Sequence, residues 1–207
     1  MGKWYLVRHG QTAYNAEGRI QGHIDTRLGE TGSAQIARLA ARLSGTQFAA
    51  AYASDLLRTR ETARLLVGSR GMPVTLLPQL REVRHGAWDG HTYEEIQREW
   101  PELFARFMGR DVEMMAPGGE SLATMASRVG EAEARIRAAH GPDDDVLVVG
   151  HSGSVRALAL RLLDLPLANF WKLRIVPGSL GVISVVEDTA ILERWNDTHH
   201  LEGGDVS

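Results

Sequence analysis

The chain contains no cysteine. Disulfides, thiolate nucleophiles and thiolate-held metal sites are therefore excluded. Aromatic residues make up only 6% of it, and no apolar stretch approaches the length of a membrane span. It also lacks a strong excess of one charge: a formal net charge of −3 argues against nucleic acid or an anionic membrane as the main partner. The amino end carries Lys3 and an apolar run of strand length, too short for a signal peptide, which makes the cytoplasm the expected compartment. What is present suits one globular domain with a real core: 207 residues, 43% hydrophobic and 24% charged.

Apolar spacing and breakers divide the chain into alternating elements. Residues 3–7 read as a buried strand, and 31–44 as a helix with Ile36, Leu39, Ala40 and Leu43 at helical spacing and Gly45 at its C-terminal cap. Residues 48–53 predict a second strand, 55–67 a helix capped by Ser54, and 74–77 a third strand between Pro73 and Pro78. Thr92 with Glu95 forms a capping box, and Pro101 suits the first turn of the next helix. A long helix over 121–140, a strand over 146–150 and a helix over 154–163 follow, then strands near 171–176, 180–186 and 191–195.

Strands alternating with helices predict an α/β three-layer sandwich: a mostly parallel central sheet, helices on both faces, and an antiparallel strand pair at one edge. Residues 1–207 are expected to form a single catalytic domain with a helical, lid-like insertion at about 90–120, strand-free and rich in Glu, Trp, Phe and Met. His23 and His91 are expected at the surface, and residues 196–207 as a polar tail, disordered or lying over the pocket.

The chemistry starts at Arg8-His9-Gly10. A buried strand that delivers arginine and histidine to its carboxyl end places charge where open α/β sheets bind ligands. His151 leaves the 146–150 strand in the same way, just before a helix whose free N–H groups favour an anion. On local evidence a capping or core role for His151 weighs as much. Arginine forks suit phosphate and carboxylate, and histidine can carry a proton or attack. Arg58, Arg60 and Arg64 cannot all face inward; Arg58 is taken as the inward one, because Leu56, Leu57, Leu65 and Leu66 must occupy the core side. Glu82 is the candidate general acid, provided burial keeps it protonated.

These residues resemble the histidine phosphatase superfamily, in its phosphoglycerate mutase-like branch. The match runs through Arg8-His9-Gly10-Gln11-Thr12 with Asn15, Ser54-Asp55-Leu56 with Arg58, Thr59 and Thr62-Ala63, and Leu80-Arg81-Glu82 ahead of Gly86, Trp88 and Gly90. It continues through Gly118-Gly119-Glu120-Ser121 and Val149-Gly150-His151-Ser152-Gly153 with Arg156. The resemblance implies His9 as phosphorylated nucleophile, Arg8, Arg58 and His151 as the phosphate pocket, and Glu82 as proton donor. It implies no metal or other cofactor. Asn15 and Gln21 match positions at the pocket mouth, Ser152 belongs to the same motif, and Glu120 and Ser121 serve only as helix entry and cap.

The family's mutases are longer after the Glu82 segment, so net hydrolysis of a small phosphate ester is expected. His85 and Gln21 are similar in placement to residues of the family's phosphoserine phosphatases, which makes phosphoserine the leading substrate and the carboxylate their proposed contact. α-Ribazole phosphate, glucosyl-3-phosphoglycerate, sugar phosphates and mutase chemistry stay open. Phe170 and Trp171 with the late strands could bury against a second subunit, since relatives are often dimers. Three other classes compete: a serine hydrolase attacking through Ser152, since Gly150-His151-Ser152-Gly153-Ser154 comes near G-x-S-x-G; a metal-dependent hydrolase, although no His-Glu-x-x-His is present; and a non-catalytic phosphate-binding module.

Overall fold

The computed structural model describes residues 1–186 and 189–202. In chain order the elements are β1 (Lys3–Arg8), α1 (Ala13–Ala16), α2 (Glu30–Arg42), β2 (Ala50–Ala53), α3 (Leu57–Val67), β3 (Val74–Leu76), α4 (Tyr93–Glu99), α5 (Pro101–Met108) and α6 (Leu122–Ala139). They continue with β4 (Val146–Gly150), α7 (Ser152–Leu162), β5 (Leu180–Val186) and β6 (Thr189–Asp197).

The sheet order is β3-β2-β4-β1-β5-β6. The first four of these strands run parallel, while β5 pairs antiparallel with β1 and β6 antiparallel with β5. Side chains alternate across the sheet, so each strand feeds two cores. Trp4, Leu6, Val146 and Val148 pack with Met125, Val129 and Ile136 of α6 and Leu158 and Leu162 of α7. Val7, Leu147 and Val149 pack on the other face with Ile36 and Leu39 of α2 and Ala63 and Leu66 of α3. Because both faces of β4 are covered, all five of its residues are buried. Each enclosed Val, Leu or Ile contributes about 1.5–3 kcal/mol relative to exposure. The expected three-layer α/β architecture is the one observed.

Thr92 caps α4 in a full box with Glu95, and Pro101 opens α5. Together α4, α5 and the following loop build a third apolar cluster around Trp88, Ile96, Met114 and Ala116. Arg19 ties this region to the body through Gly90 O and Glu95.

Several expectations are corrected. Residues 171–176 are not a strand: Leu167–Lys172 forms a 3₁₀ turn. A strand would send neighbouring side chains to opposite sides, whereas Phe170 and Trp171 both line one cavity. Phe170 is 2% exposed within this chain, so it is not available to a second subunit. The helix expected at 55–67 begins later, at Leu57, and Ser54 does not cap it. Asp25 supplies the cap from another loop, its Oδ1 accepting the Leu57 N–H. The helix expected from 154 starts at Ser152, and α2 closes at Leu43 rather than on Gly45. The polar tail begins with an ordered 3₁₀ turn, His199–Leu201, in which the His200 Nε2–H donates to Gly178 O at 2.9 Å. Residues 203–207 lie outside the described part. Among the described residues, no helix is long and apolar enough to cross a membrane.

Candidate active site

Parallel strands aligned in register bring their carboxyl ends to one place. Arg8 pairs with Gly150 and Ala53 with Val149, so His9, Ser54 and His151 emerge side by side. The His9 and His151 rings are 5.2 Å apart, centre to centre. A cavity of about 310 Å³ opens over them, lined by Arg8, His9, Asn15, Gln21, Arg58, Glu82, His85 and Ser152 among others. His151 lies just under this lining, 0% exposed.

His9 is 2% exposed, and its Nδ1–H donates to Gly10 O at 2.8 Å. That bond selects the tautomer and leaves the lone pair on Nε2. Burial, then the charges of Arg58 and Arg8, hold the ring well below the ordinary histidine range. The turn after His9 depends on glycine at two contacts. A Cβ on Gly10 would stand 2.5 Å from Gly32 O, and one on Gly32 would stand 2.0 Å from Gln11 O.

Arg58 is also fully buried, as expected, although the leucine argument for it was only partly right. Leu56 and Leu66 are buried, but Leu65 is 42% exposed. Arg58 spends its N–H groups on Gly22 O and Ile24 O, each at 2.8 Å, and on His151 Nδ1 at 3.2 Å. Arg60 and Arg64 are exposed. Arg8 donates through Nη1 to Ile175 O, while its buried Nε has no partner among the described residues. Burial lowers both guanidinium groups to about 10, which leaves them cationic at neutral pH.

His151 differs from His9. Its Nδ1 accepts from Arg58, so its proton sits on Nε2 and donates to Ser54 Oγ at 2.9 Å. Both ring nitrogens therefore already have protein partners. Burial, then Arg58 and His9, push this ring well below its usual range as well.

Glu82 is half-buried at the cavity wall rather than enclosed. The Gly153 N–H, in the first turn of α7, donates to its carboxylate at 2.9 and 3.1 Å. A Cβ at Gly153 would stand 2.2 Å from Glu82 Oε1, so only glycine permits this approach. The Glu82 carbonyl accepts from the His23 ring and from Arg128, which also pairs with Glu120. His23 is thus half-buried and structural, not the surface residue expected.

Asn15 and Gln21 are bound through their oxygens. Asn15 Oδ1 accepts the Thr12 N–H, and Gln21 Oε1 accepts the Thr12 and Thr26 hydroxyls, which leaves each side chain an NH₂ group. His85 is half-buried, and burial lowers its pKa. Ser152 Oγ accepts from Arg156 Nη2 at 2.9 Å, and among the described residues no imidazole is hydrogen-bonded to it to take its proton, which removes the geometric basis for a serine nucleophile.

Sequence reasoning missed Ser54 as the partner of His151, and it missed Asp89. Asp89 rests against Gly22, has a buried Oδ1 without a partner among the described residues, and is pushed up to about 6, chiefly by burial. No spacing rule signals either. Among the described residues, no group of three or more His, Cys, Asp or Glu is arranged to hold a metal ion.

A buried, neutral imidazole in the field of two guanidinium groups that line the same cavity is suited to attack phosphorus while cations hold the oxygens. The family model described as histidine phosphatase superfamily, branch 1, matches residues 4–198. The chain belongs to that family. It is a histidine phosphatase, and its class is phosphoric monoester hydrolase. It is 34% identical over 201 residues to phosphoserine phosphatase 1 of Hydrogenobacter thermophilus, covering 97% of this chain and 95% of that protein. It is 32% identical over 192 residues to the adenosylcobalamin/α-ribazole phosphatase of Salmonella typhimurium, covering 93% and 95%. The solved structure of a mycobacterial glucosyl-3-phosphoglycerate phosphatase with VO₃ superimposes with a TM-score of 0.87 at 34% identity, covering 95% of this chain and 99% of that one.

Proposed function

We propose that this histidine phosphatase hydrolyses small phosphate esters through a phosphohistidine on His9, without a metal, and that phosphoserine is its substrate. One observation carries the reading: the His9 ring keeps Nδ1–H on Gly10 O and a lone pair on Nε2, in a cavity shared with an Arg8 guanidinium whose Nε has no partner among the described residues. Nε2 attacks phosphorus in line, the ester P–O bond breaks, and protonated Glu82 gives its proton to the leaving oxygen. The Glu82 carboxylate then takes a proton from water, whose oxygen attacks phosphorus. The P–N bond breaks, its electron pair returns to Nε2, and inorganic phosphate leaves.

Arg8 and Arg58 hold the phosphoryl oxygens. His151 joins them as an imidazolium once substrate binds: Nε2–H stays on Ser54, Nδ1 takes a proton carried in on the phosphate monoester and donates it in a hydrogen bond to oxygen, and the Arg58 Nε–H that Nδ1 had accepted turns to the phosphoryl oxygens. The NH₂ groups of Asn15 and Gln21 supply neutral donors at the mouth. Support for phosphoserine comes from the Hydrogenobacter relative and from His85 and Gln21 on the cavity wall, where they would contact the substrate carboxylate. The α4–α5 region, whose Phe107, Asp111 and Met114 line the same cavity, would act as the lid.

The test is a panel of phosphoserine, 3-phosphoglycerate, glucosyl-3-phosphoglycerate, α-ribazole 5′-phosphate and sugar phosphates, assayed with a chelator present. Phosphate release fastest from phosphoserine is expected. Release from none of them, or activity abolished by the chelator, contradicts the proposal.

A further inference from the structure

The cavity contains one cationic donor that the phosphoryl chemistry does not use. Among the cations lining it, Arg19 is committed to Glu17, Glu95 and Gly90 O, and Arg58 is assigned above to the phosphoryl oxygens. Arg8 serves the phosphoryl end beside His9. Arg156 remains. Its Nε donates to Ser152 O at 2.8 Å and its Nη2 to Ser152 Oγ at 2.9 Å, while Nη1 has no partner among the described residues. The guanidinium lies over the Phe170 ring at 3.9 Å and near Trp171 at 5.9 Å. Two hydrogen bonds and a stacked face fix its plane, so little freedom is lost when the remaining edge meets a ligand.

The surroundings define what that ligand carries. Of the three acids of the cavity wall, Asp111 is paired with Arg106 and Glu120 with Arg128, and the third is the proposed proton donor Glu82. The Glu82 carboxylate is held by the Gly153 N–H and the Arg156 guanidinium by Ser152, adjacent residues in the first turn of α7, so the proposed proton donor and Arg156 share one part of the cavity wall. An ester bound with phosphorus at Arg8 and its leaving oxygen at Glu82 therefore extends its leaving group toward Arg156. With Nε and one Nη2–H on Ser152, the outer edge keeps both Nη1–H groups and the second Nη2–H, a fork that matches the two oxygens of a carboxylate.

We propose that Arg156 is the carboxylate receptor of the site, and that it selects phosphate esters whose leaving group carries a carboxylate a few bonds from phosphorus. This rests on the phosphohistidine reading above. It separates the substrates named by the relatives: phosphoserine and glucosyl-3-phosphoglycerate carry such a carboxylate, and α-ribazole 5′-phosphate does not. His85 and Gln21 then add neutral donors around a charge that Arg156 balances.

The experiment compares O-phosphoserine with O-phosphoethanolamine, which differ only by the carboxylate, in the intact protein and in Arg156→Gln and Arg156→Lys. The intact protein should prefer phosphoserine in kcat/KM by about 10- to 100-fold, the value of one charged hydrogen-bonded contact. Arg156→Gln should bring the ratio close to one, mainly through a higher KM for phosphoserine, and Arg156→Lys should restore part of it. Equal kcat/KM for the two esters in the intact protein overturns the proposal without any variant. So does an Arg156→Gln protein that loses both activities by the same factor. Phosphoenzyme quenched in alkali is measured with both esters: if neither labels His9, the phosphohistidine reading fails, which is a different result from labelling without discrimination.

Discussion

His9 and His151 leave neighbouring parallel strands at matching positions, and both rings are buried and held neutral, yet their partners differ. His9 meets one backbone carbonyl and keeps a nitrogen lone pair. His151 meets a guanidinium on one nitrogen and a serine hydroxyl on the other. In the proposed mechanism the same residue type at equivalent places in the fold takes two jobs, attack and donation, according to what touches the far side of each ring. Position in an α/β sheet brings side chains together; hydrogen-bond partners decide their chemistry.

The sharpest way to break this contrast is to remove each ring in turn. His9→Ala should lower kcat on the order of 10⁴-fold or more and abolish acid-labile phosphoenzyme, because the nucleophile is gone. His151→Ala should cost roughly 10²–10³-fold, as loss of one preorganised oxyanion donor does, while phosphoenzyme still forms slowly. Rapid-quench kinetics on both variants checks this; equal losses would erase the distinction. Ser54→Ala is the finer version. It removes the acceptor that holds His151 Nε2–H and should cost about tenfold in kcat, with His9 phosphorylation retained.

The smallest expected effect is on stability. Five histidines, His9, His23, His85, His151 and His200, have pKa values lowered in the folded chain. The unfolded chain binds their protons more readily, so stability is fully present above the ordinary value of 6.5 and falls as pH drops below it. Asp89, raised from 3.8 to about 6, acts with the opposite sign between those values but is a single group. Thermal melts between about pH 7 and about pH 5 should therefore show a falling Tm. His9→Asn should make that slope shallower. A Tm that rises toward acid would show that these rings are not held neutral.

Much of this was legible in the sequence where a local rule and the tertiary structure agree. The fully apolar 146–150 run could only be a doubly covered strand, and Thr92-x-x-Glu95 ahead of Pro101 marked its helices because capping chemistry is local. The reading failed where a distant group took over a local job. Ser54 looks like a helix cap until Asp25 arrives to bind Leu57 N–H and frees Ser54 for His151. Residues 171–176 look like a strand until a 3₁₀ turn over Leu167–Lys172 sets both Phe170 and Trp171 on one cavity. His23 looks like a surface residue until the Glu82 carbonyl folds over it. Arg8, His9 and Arg58 could be singled out because arginine and histidine at strand and helix ends carry a recognisable chemistry, and Glu82 only through the wider constellation; the structure brings all four to one cavity. Asp89 carried no such signal.

The most direct measurement is the site of phosphorus on the trapped phosphoenzyme. After brief reaction with phosphoserine and quenching in alkali, ³¹P resonance and fragment mass spectrometry should place the phosphoryl group on Nε2 of His9, since Nδ1 is committed to the Gly10 carbonyl. Phosphorus on Nδ1, on His151 or on Ser152 would contradict the account.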